Sequence, residues 1–159
     1  MNATKVGLVF AINLLLILIA IGTANAEEFN IGYIPTSILP PGCGMQFWDA
    51  KINKPNGKIL IDKDLKSTWL KIVINDKVQI FSNTKKVANV QENHKYTVGD
   101  SFEEEYTFGG ISIILRYRIT NVCPASNPDC ESTDYFGEMI IKSKQGKQIR
   151  LNLKGNGGC

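Results

Sequence analysis

The feature that most constrains the fold of this chain is an alternation of apolar and polar residues on both sides of a glycine pair. The apolar positions are Phe102, Tyr106, Phe108, Ile111, Ile113, Leu115, Tyr117 and Ile119. Arg116, Arg118 and Thr120 occupy the intervening positions after Gly109-Gly110. Successive side chains of a β-strand point to opposite faces, and two glycines readily form a tight reversal. The pattern therefore predicts an antiparallel hairpin with one buried face.

Similar short runs of β-prone residues recur along most of the chain. Nine of them are visible, at 45–49, 58–62, 68–74, 77–81, 86–91, 101–108, 111–120, 135–143 and 147–153. Several are joined by pairs that tolerate positive φ, namely Asn56-Gly57, Asn75-Asp76 and Gln145-Gly146. No stretch after residue 26 has a sustained 3.6-residue apolar period. We therefore predict an all-β antiparallel meander of eight or nine short strands, closed into a small barrel or a barrel-like sandwich.

The first 26 residues have the organisation of a helical signal peptide. Lys5 supplies a positive start, Val6 to Ile21 are mostly apolar, and Ala24-Asn25-Ala26 provides small residues at the positions that signal peptidase requires. An uncleaved membrane anchor is the alternative, but a spanning helix needs about 20 apolar residues and this stretch is shorter. We expect cleavage before Glu27, a periplasmic or secreted product, and no membrane span in what remains.

Removing 26 of the 159 residues leaves 133, which suits one domain. Residues 27–42 contain Pro35, Pro40 and Pro41, and proline lacks a backbone donor. We predict a flexible arm there, or at most an edge strand. Residues 43–159 form the single predicted β domain. Over the whole chain, 43% of the residues are hydrophobic and 21% are charged, which is typical of a folded protein.

All four cysteines follow the predicted leader and would meet an oxidising compartment, which favours disulfides. Cys123 and Cys130 bracket a stretch of turn-forming residues, so we predict a bridge between them and a second one from Cys43 to Cys159. In the loop-entropy model the short ring contributes about 2.5 kcal/mol and the long ring about 5 kcal/mol. A zinc site is disfavoured because the sequence contains no C-x-x-C motif and only one histidine, His94.

Charge and motif content predict no catalysis, cofactor or metal. The formal charge is +3, or +2 without the leader's Lys5, which is too weak to indicate nucleic-acid binding. Basic residues gather late, at Lys142, Lys144, Lys147, Arg150 and Lys154, where a solvated strand face is favoured over an anion-binding patch. His94 stands in a polar stretch without a nucleophile motif. Glu103 and Glu105 should face water, away from the apolar side of their strand.

Two segments are candidates for a contact surface. Phe47 and Trp48 are adjacent, so one of them must point away from the core of a strand. The second is the bracketed loop with Pro124, Asn127 and Pro128, whose bridge would reduce the entropy lost on docking. We expect a monomeric, non-enzymatic binding module with a protein or cell-envelope partner. An inhibitor of an exported lysozyme or protease that uses this loop is the alternative, and a small carbohydrate-active enzyme is a third hypothesis.

Overall fold

The computed structural model describes residues 29–40, 43–66, 68–85, 96–124, 130 and 132–158. The strands are β1 (Ile31–Gly32), β2 (Gly44–Asp49), β3 (Ile61–Lys63), β4 (Trp69–Ile74), β5 (Lys77–Lys85), β6 (Ser101–Phe108), β7 (Ile111–Val122), β8 (Ser132–Lys142) and β9 (Gln148–Gly158). Within these residues the helical content is one 3-10 turn, Thr36–Ile38. The predicted leader, the run 86–91, His94, Asn127, Pro128 and Cys159 lie outside the described residues.

Strands β2 to β9 form a closed barrel. Each pairs antiparallel with the next along the chain, and the last returns to the first, with Gly44 opposite Gly158 and Asp49 opposite Leu153. The short strand β1 adds to β4, beyond the point where β3 ends. The structure confirms the all-β prediction and selects the barrel over the sandwich: eight antiparallel strands in a ring with one extra strand.

The turn residues explain why the strands reverse where they do. Asn75 and Asp76 both have positive φ, at 50° and 60°, and so do Gly109 and Gly110, at 58° and 85°. These are the conformations of a type I′ hairpin turn, whose twist matches that of the flanking strands. The β8–β9 connection is a longer loop, in which only Gly146 has positive φ. The Gly146 N–H donates to the Ser143 carbonyl at 3.0 Å and closes the turn.

Alternation places one side chain in two inside the barrel. The interior is filled by large side chains from every barrel strand, including Phe47, Leu70, Phe81, Tyr106, Leu115 and Met139, all with no exposed area. On β9 the alternation ends in glycine: a Cβ at Gly155 would lie 2.5 Å from a Phe47 ring carbon, and one at Gly157 would lie 2.8 Å from Met45 Cγ. These glycines therefore make room for the side chains of β2.

Part of the predicted arm packs on the outside of the barrel. Ile34 is 1% exposed and forms a second apolar cluster with Ile59 and Val73, against which Leu39 and Trp48 pack. The Ile34 N–H donates to the Ile59 carbonyl at 2.8 Å. The segment thus covers the outer face of β4 next to β1.

A disulfide joins Cys123 to Cys130, beside the ends of β7 and β8. Cys43 is also disulfide-bonded, and the pairing with Cys159 stays a prediction because Cys159 is not described. In the described part of the chain, no helix is long and apolar enough to cross a bilayer.

Candidate functional site

A buried ion pair lies inside the barrel. Lys63 on β3 and Glu104 on β6 have side chains 0% and 1% exposed, and Lys63 Nζ lies 3.2 Å from Glu104 Oε1. The ammonium also lies 3.2 Å from Met45 Sδ and 5.3 Å from the centre of the Tyr117 ring. An isolated charge would be costly at such a site, so each group is held by partners of opposite charge or suitable polarity.

Two tyrosines also bind the Glu104 carboxylate. Tyr117 O–H donates to Oε1 at 2.6 Å, and Tyr106 O–H donates to Oε2 at 2.5 Å. Burial raises the pKa of Tyr117 well above its ordinary value of 10.0, and the nearby Glu104 charge adds to the effect. Burial lowers the pKa of Lys63, and Glu104 opposes that change. The Glu104 carboxylate therefore accepts from the Lys63 ammonium and from two tyrosine hydroxyls at once, and burial keeps the Tyr117 hydroxyl protonated.

The interior cluster is enclosed by the barrel, and its ionisable side chains have almost no exposed area. The sequence analysis did not predict this ion pair, although one signal was available. Glu104 is two residues from both Phe102 and Tyr106, and side chains two apart in a strand share a face, so Glu104 lies on the apolar face. Lys63 had no comparable signal, because its inward direction depends on the register of β3 against β2.

The accessible candidate site lies on the outer face of the barrel. A groove of about 740 Å³ is lined by Trp48, Gln46, Asp62, Trp69, Asn156 and Ser132, together with Pro40 and Cys130. The Trp48 indole N–H donates to the Ile52 carbonyl at 3.2 Å, which fixes the ring orientation. Lys71 Nζ contacts Asp62 at 3.2 Å and lies 5.5 Å from the centre of the Trp69 ring.

The polar residues of this groove belong to one row across the sheet. Asp62, Gln46 and Asn156 are directly opposite neighbours on β3, β2 and β9, and Asn156 is opposite Asp134 on β8. Asn156 Nδ2 donates to Asp134 Oδ1 at 2.9 Å. Side chains at directly opposite positions share a face, so the row presents amides and carboxylates together.

A second groove, of about 620 Å³, crosses the outer faces of β6 to β9. Its lining includes Arg118, Phe136, Gly137, Asn152 and Ser101. Its lining also contains Glu103, Arg116 and Glu138, which form a network of alternating charge with Arg150: Arg116 contacts Glu103 at 2.6 Å and Glu138 at 3.4 Å, and Arg150 contacts Glu138 at 2.9 Å. Hydrogen bonding to Glu103 raises the pKa of Arg116. As expected, Glu103 is on the water-facing side of its strand.

The structure separates the residues of the predicted contact surface. Phe47 points into the barrel with no exposed area, so it belongs to the core, whereas Trp48 points outward and lines the first groove. Pro124 is exposed next to the Cys123–Cys130 bridge. Phe136, at 40% exposure, is not among the residues that the sequence predicts for the contact surface. Its outward direction follows from its register opposite Lys154 and Arg118.

Among the described residues, no three His, Cys, Asp or Glu side chains are grouped closely enough to hold a metal ion. The fold and the outer grooves define the class: a small closed antiparallel β-barrel with an aromatic and polar outer face. Compared with known proteins, the chain matches no protein-family model, no curated sequence and no solved structure.

Proposed function

We propose that this protein is an exported, non-enzymatic binding module whose outer face, on β2, β9, β8 and β7, contacts a cell-envelope or secreted partner. The observation that carries the proposal is the position of two outward aromatic side chains, Trp48 and Phe136, in grooves on that face. Aromatic rings that are anchored at one end and accessible at the other are common centres of binding surfaces.

The distribution of ionisable groups supports binding over catalysis. General acid–base chemistry needs a titratable side chain within hydrogen-bond reach of a bound substrate. Burial lowers the pKa of Lys63, but Lys63 and Glu104 are both enclosed in the barrel. On the outer face Glu103 and Glu138 contact arginines. A surface of this kind is suited to recognition.

Fractions of the host envelope, passed over the immobilised domain, test this proposal. We expect one fraction to be retained by the native domain and to be lost with Phe136→Ser. The matched control is Tyr33→Ala, which removes an exposed aromatic ring, 47% accessible, from a different part of the surface. Equal retention by the native domain and both variants would show that Phe136 does not contribute to binding, and would contradict the assignment of binding to the outer face. Export itself is tested by the N-terminus of the recovered protein, which should begin at Glu27.

An inhibitor of an exported lysozyme or protease is the second candidate, and one observation favours it. The Cys123–Cys130 bridge closes a short segment beside the ends of β7 and β8, and Pro124 at its start is exposed. A constrained segment loses little conformational entropy on docking. Under this alternative the domain should slow a lysozyme or a protease, and replacing residues 124–128 with glycine and serine should abolish the inhibition while Phe136→Ser leaves it intact.

A further inference from the structure

Four outward side chains form a row across the proposed contact face. Trp48, Lys154, Phe136 and Arg118 are directly opposite neighbours on β2, β9, β8 and β7. Neighbouring strands lie about 4.8 Å apart, so the two aromatic residues are about two strand spacings, or roughly 10 Å, from one another. The two cations have the same spacing. The row thus alternates a flat apolar ring with a positive charge.

The cations of this row differ from those around them. Arg116 and Arg150 are held by Glu103 and Glu138. By contrast, Lys154 and Arg118 have no carboxylate within 4.0 Å in the part of the chain that the structure describes. Their charges are therefore available to a ligand, and Phe136 between them offers it an apolar surface.

The neighbouring polar row adds groups that bind hydroxyls. The Gln46 side chain makes no hydrogen bond to another described residue, and it lies between Asp62 and Asn156 on the floor of the first groove. A carboxamide supplies donors and an acceptor together, which matches a hydroxyl group that needs both. Asn152 contributes the same chemistry to the second groove.

We propose that this row binds an acidic polysaccharide with sparse carboxylates, such as one per disaccharide. The inference rests on the proposed binding function and specifies its ligand. Trp48 and Phe136 would contact the C–H faces of sugar rings, Lys154 and Arg118 would pair with carboxylates, and the amides would bind hydroxyls. The aromatic and cationic contacts use side chains of this row, and the amides belong to the rows on either side of it.

Other polymers fit this face less well. A nucleic acid carries a phosphate at every nucleotide, and the acidic side chains of Glu103, Glu138 and Asp134 in the adjacent rows would repel so dense a charge. The buried centre of a protein interface is depleted of charged residues. In this row the exposed Phe136 and the half-buried Trp48 each lie directly opposite a cation, which favours a hydrated, sparsely charged ligand.

Calorimetric titration of the disulfide-bonded protein with a hyaluronan oligosaccharide tests the inference, with a neutral chitin oligosaccharide and poly-glutamate as comparison ligands. We expect binding to hyaluronan to be at least about tenfold tighter than to either comparison ligand. Comparable binding of the neutral glycan would overturn the role of the carboxylates. Comparable binding of poly-glutamate would indicate an acidic peptide partner and would overturn the choice of a glycan.

Three variants locate the binding. Lys154→Gln and Arg118→Gln should each weaken hyaluronan binding about tenfold. Lys142→Gln removes the same charge from an exposed position on β8 outside the row and should leave affinity within about twofold. Equal losses in all three would indicate non-specific attraction and overturn the site. Thermal unfolding midpoints confirm that each variant is folded.

The experiment also separates this inference from the proposed function. If hyaluronan does not bind, but an envelope fraction is still retained by the native domain and lost with Phe136→Ser, the binding module stands and the acidic glycan is excluded. If neither is retained, both proposals fail.

Discussion

A lysine and a glutamate buried together inside a barrel lose their hydration, and their mutual attraction repays that loss only when the remaining donors and acceptors are also satisfied. In this barrel the carboxylate of Glu104 receives Lys63, Tyr106 and Tyr117. The arrangement constrains the register of β3, because a shift of β3 by one residue would turn Lys63 outward and remove its ammonium from the carboxylate.

Replacing Lys63 alone should destabilise the protein more than replacing both partners. Lys63→Met leaves a buried carboxylate without its counter-charge, and we expect the free energy of unfolding to fall by about 3–5 kcal/mol. Adding Glu104→Gln removes the charge and should recover part of the loss. Urea denaturation of both single variants and the double variant measures the coupling. If the double variant lost the sum of the two single effects, the pair would be energetically independent.

The buried tyrosines predict a loss of stability at alkaline pH. Burial raises the pKa of Tyr117 and of Tyr135, so the folded state keeps protons that the unfolded chain releases near pH 10. Their contribution is present below pH 10 and is lost as the pH rises above it. Lys63, whose pKa is lowered by burial, acts in the opposite sense up to its ordinary value of 10.5.

Tyr117→Phe isolates the tyrosine effect. The variant loses a hydrogen bond to Glu104 and should be less stable at neutral pH by about 1–3 kcal/mol. Above pH 10 its stability should decline less steeply, by up to about 1.4 kcal/mol per pH unit for one titrating group. Denaturant titrations between pH 8 and 12 measure the slope, with Tyr33→Phe, at an exposed ring, as the control. An unchanged slope in Tyr117→Phe would assign the alkaline loss to other groups.

At the scale of strands and turns, local patterns specified the hairpins. The alternation around Gly109-Gly110 predicted β6 with both of its ends, because side-chain direction and turn conformation depend on adjacent residues. The pairing of β2 with β9 depends instead on contacts between residues more than a hundred positions apart. The inward glycines Gly155 and Gly157 interrupt the apolar pattern of β9, so its extension to Gly158 had no hydrophobic signal.

The same distinction applies to the candidate site. That either Phe47 or Trp48 must face outward follows from neighbouring positions. Which one does so depends on the core. Phe136, Lys154 and Arg118 are separated widely in the sequence, and only the registers of β7, β8 and β9 place them side by side. A row across a sheet leaves no local signature in one sequence, which explains why this part of the site was not predicted.

One turn offers a stabilising substitution. Asp76 has φ of 60°, a conformation that glycine adopts without the steric cost of a side chain. Asp76→Gly should raise the free energy of unfolding by about 0.5–1 kcal/mol, as read from the shift in a urea transition. The matched control is Asn75→Gly, which loses the hydrogen bond from Asn30 N–H to Asn75 Oδ1 at 2.9 Å and should gain less. Equal gains would mean that this bond contributes nothing.

At the scale of the whole molecule, two covalent links should stabilise the domain unequally. Gly44 and Gly158 pair at the junction of β2 and β9, which favours a bridge from Cys43 to Cys159 that closes a ring of more than a hundred residues. Replacing both of these cysteines with alanine should cost about 5 kcal/mol, against about 2.5 kcal/mol for Cys123 and Cys130. Guanidinium unfolding of the two double variants checks the order, and a linkage of Cys43 to Cys123 in non-reduced peptides would contradict the pairing.

The pairing of β2 with β9 also determines when, during folding, the barrel can close. Every other pair in the ring joins consecutive strands, but this one joins the earliest barrel strand to the latest. During synthesis, the edge of β2 that pairs with β9 therefore stays unpaired until residues 148–158 have emerged. Ring closure should be the late and slow event of folding, and a circular permutant that joins these two strands by a short linker should fold faster than the natural order.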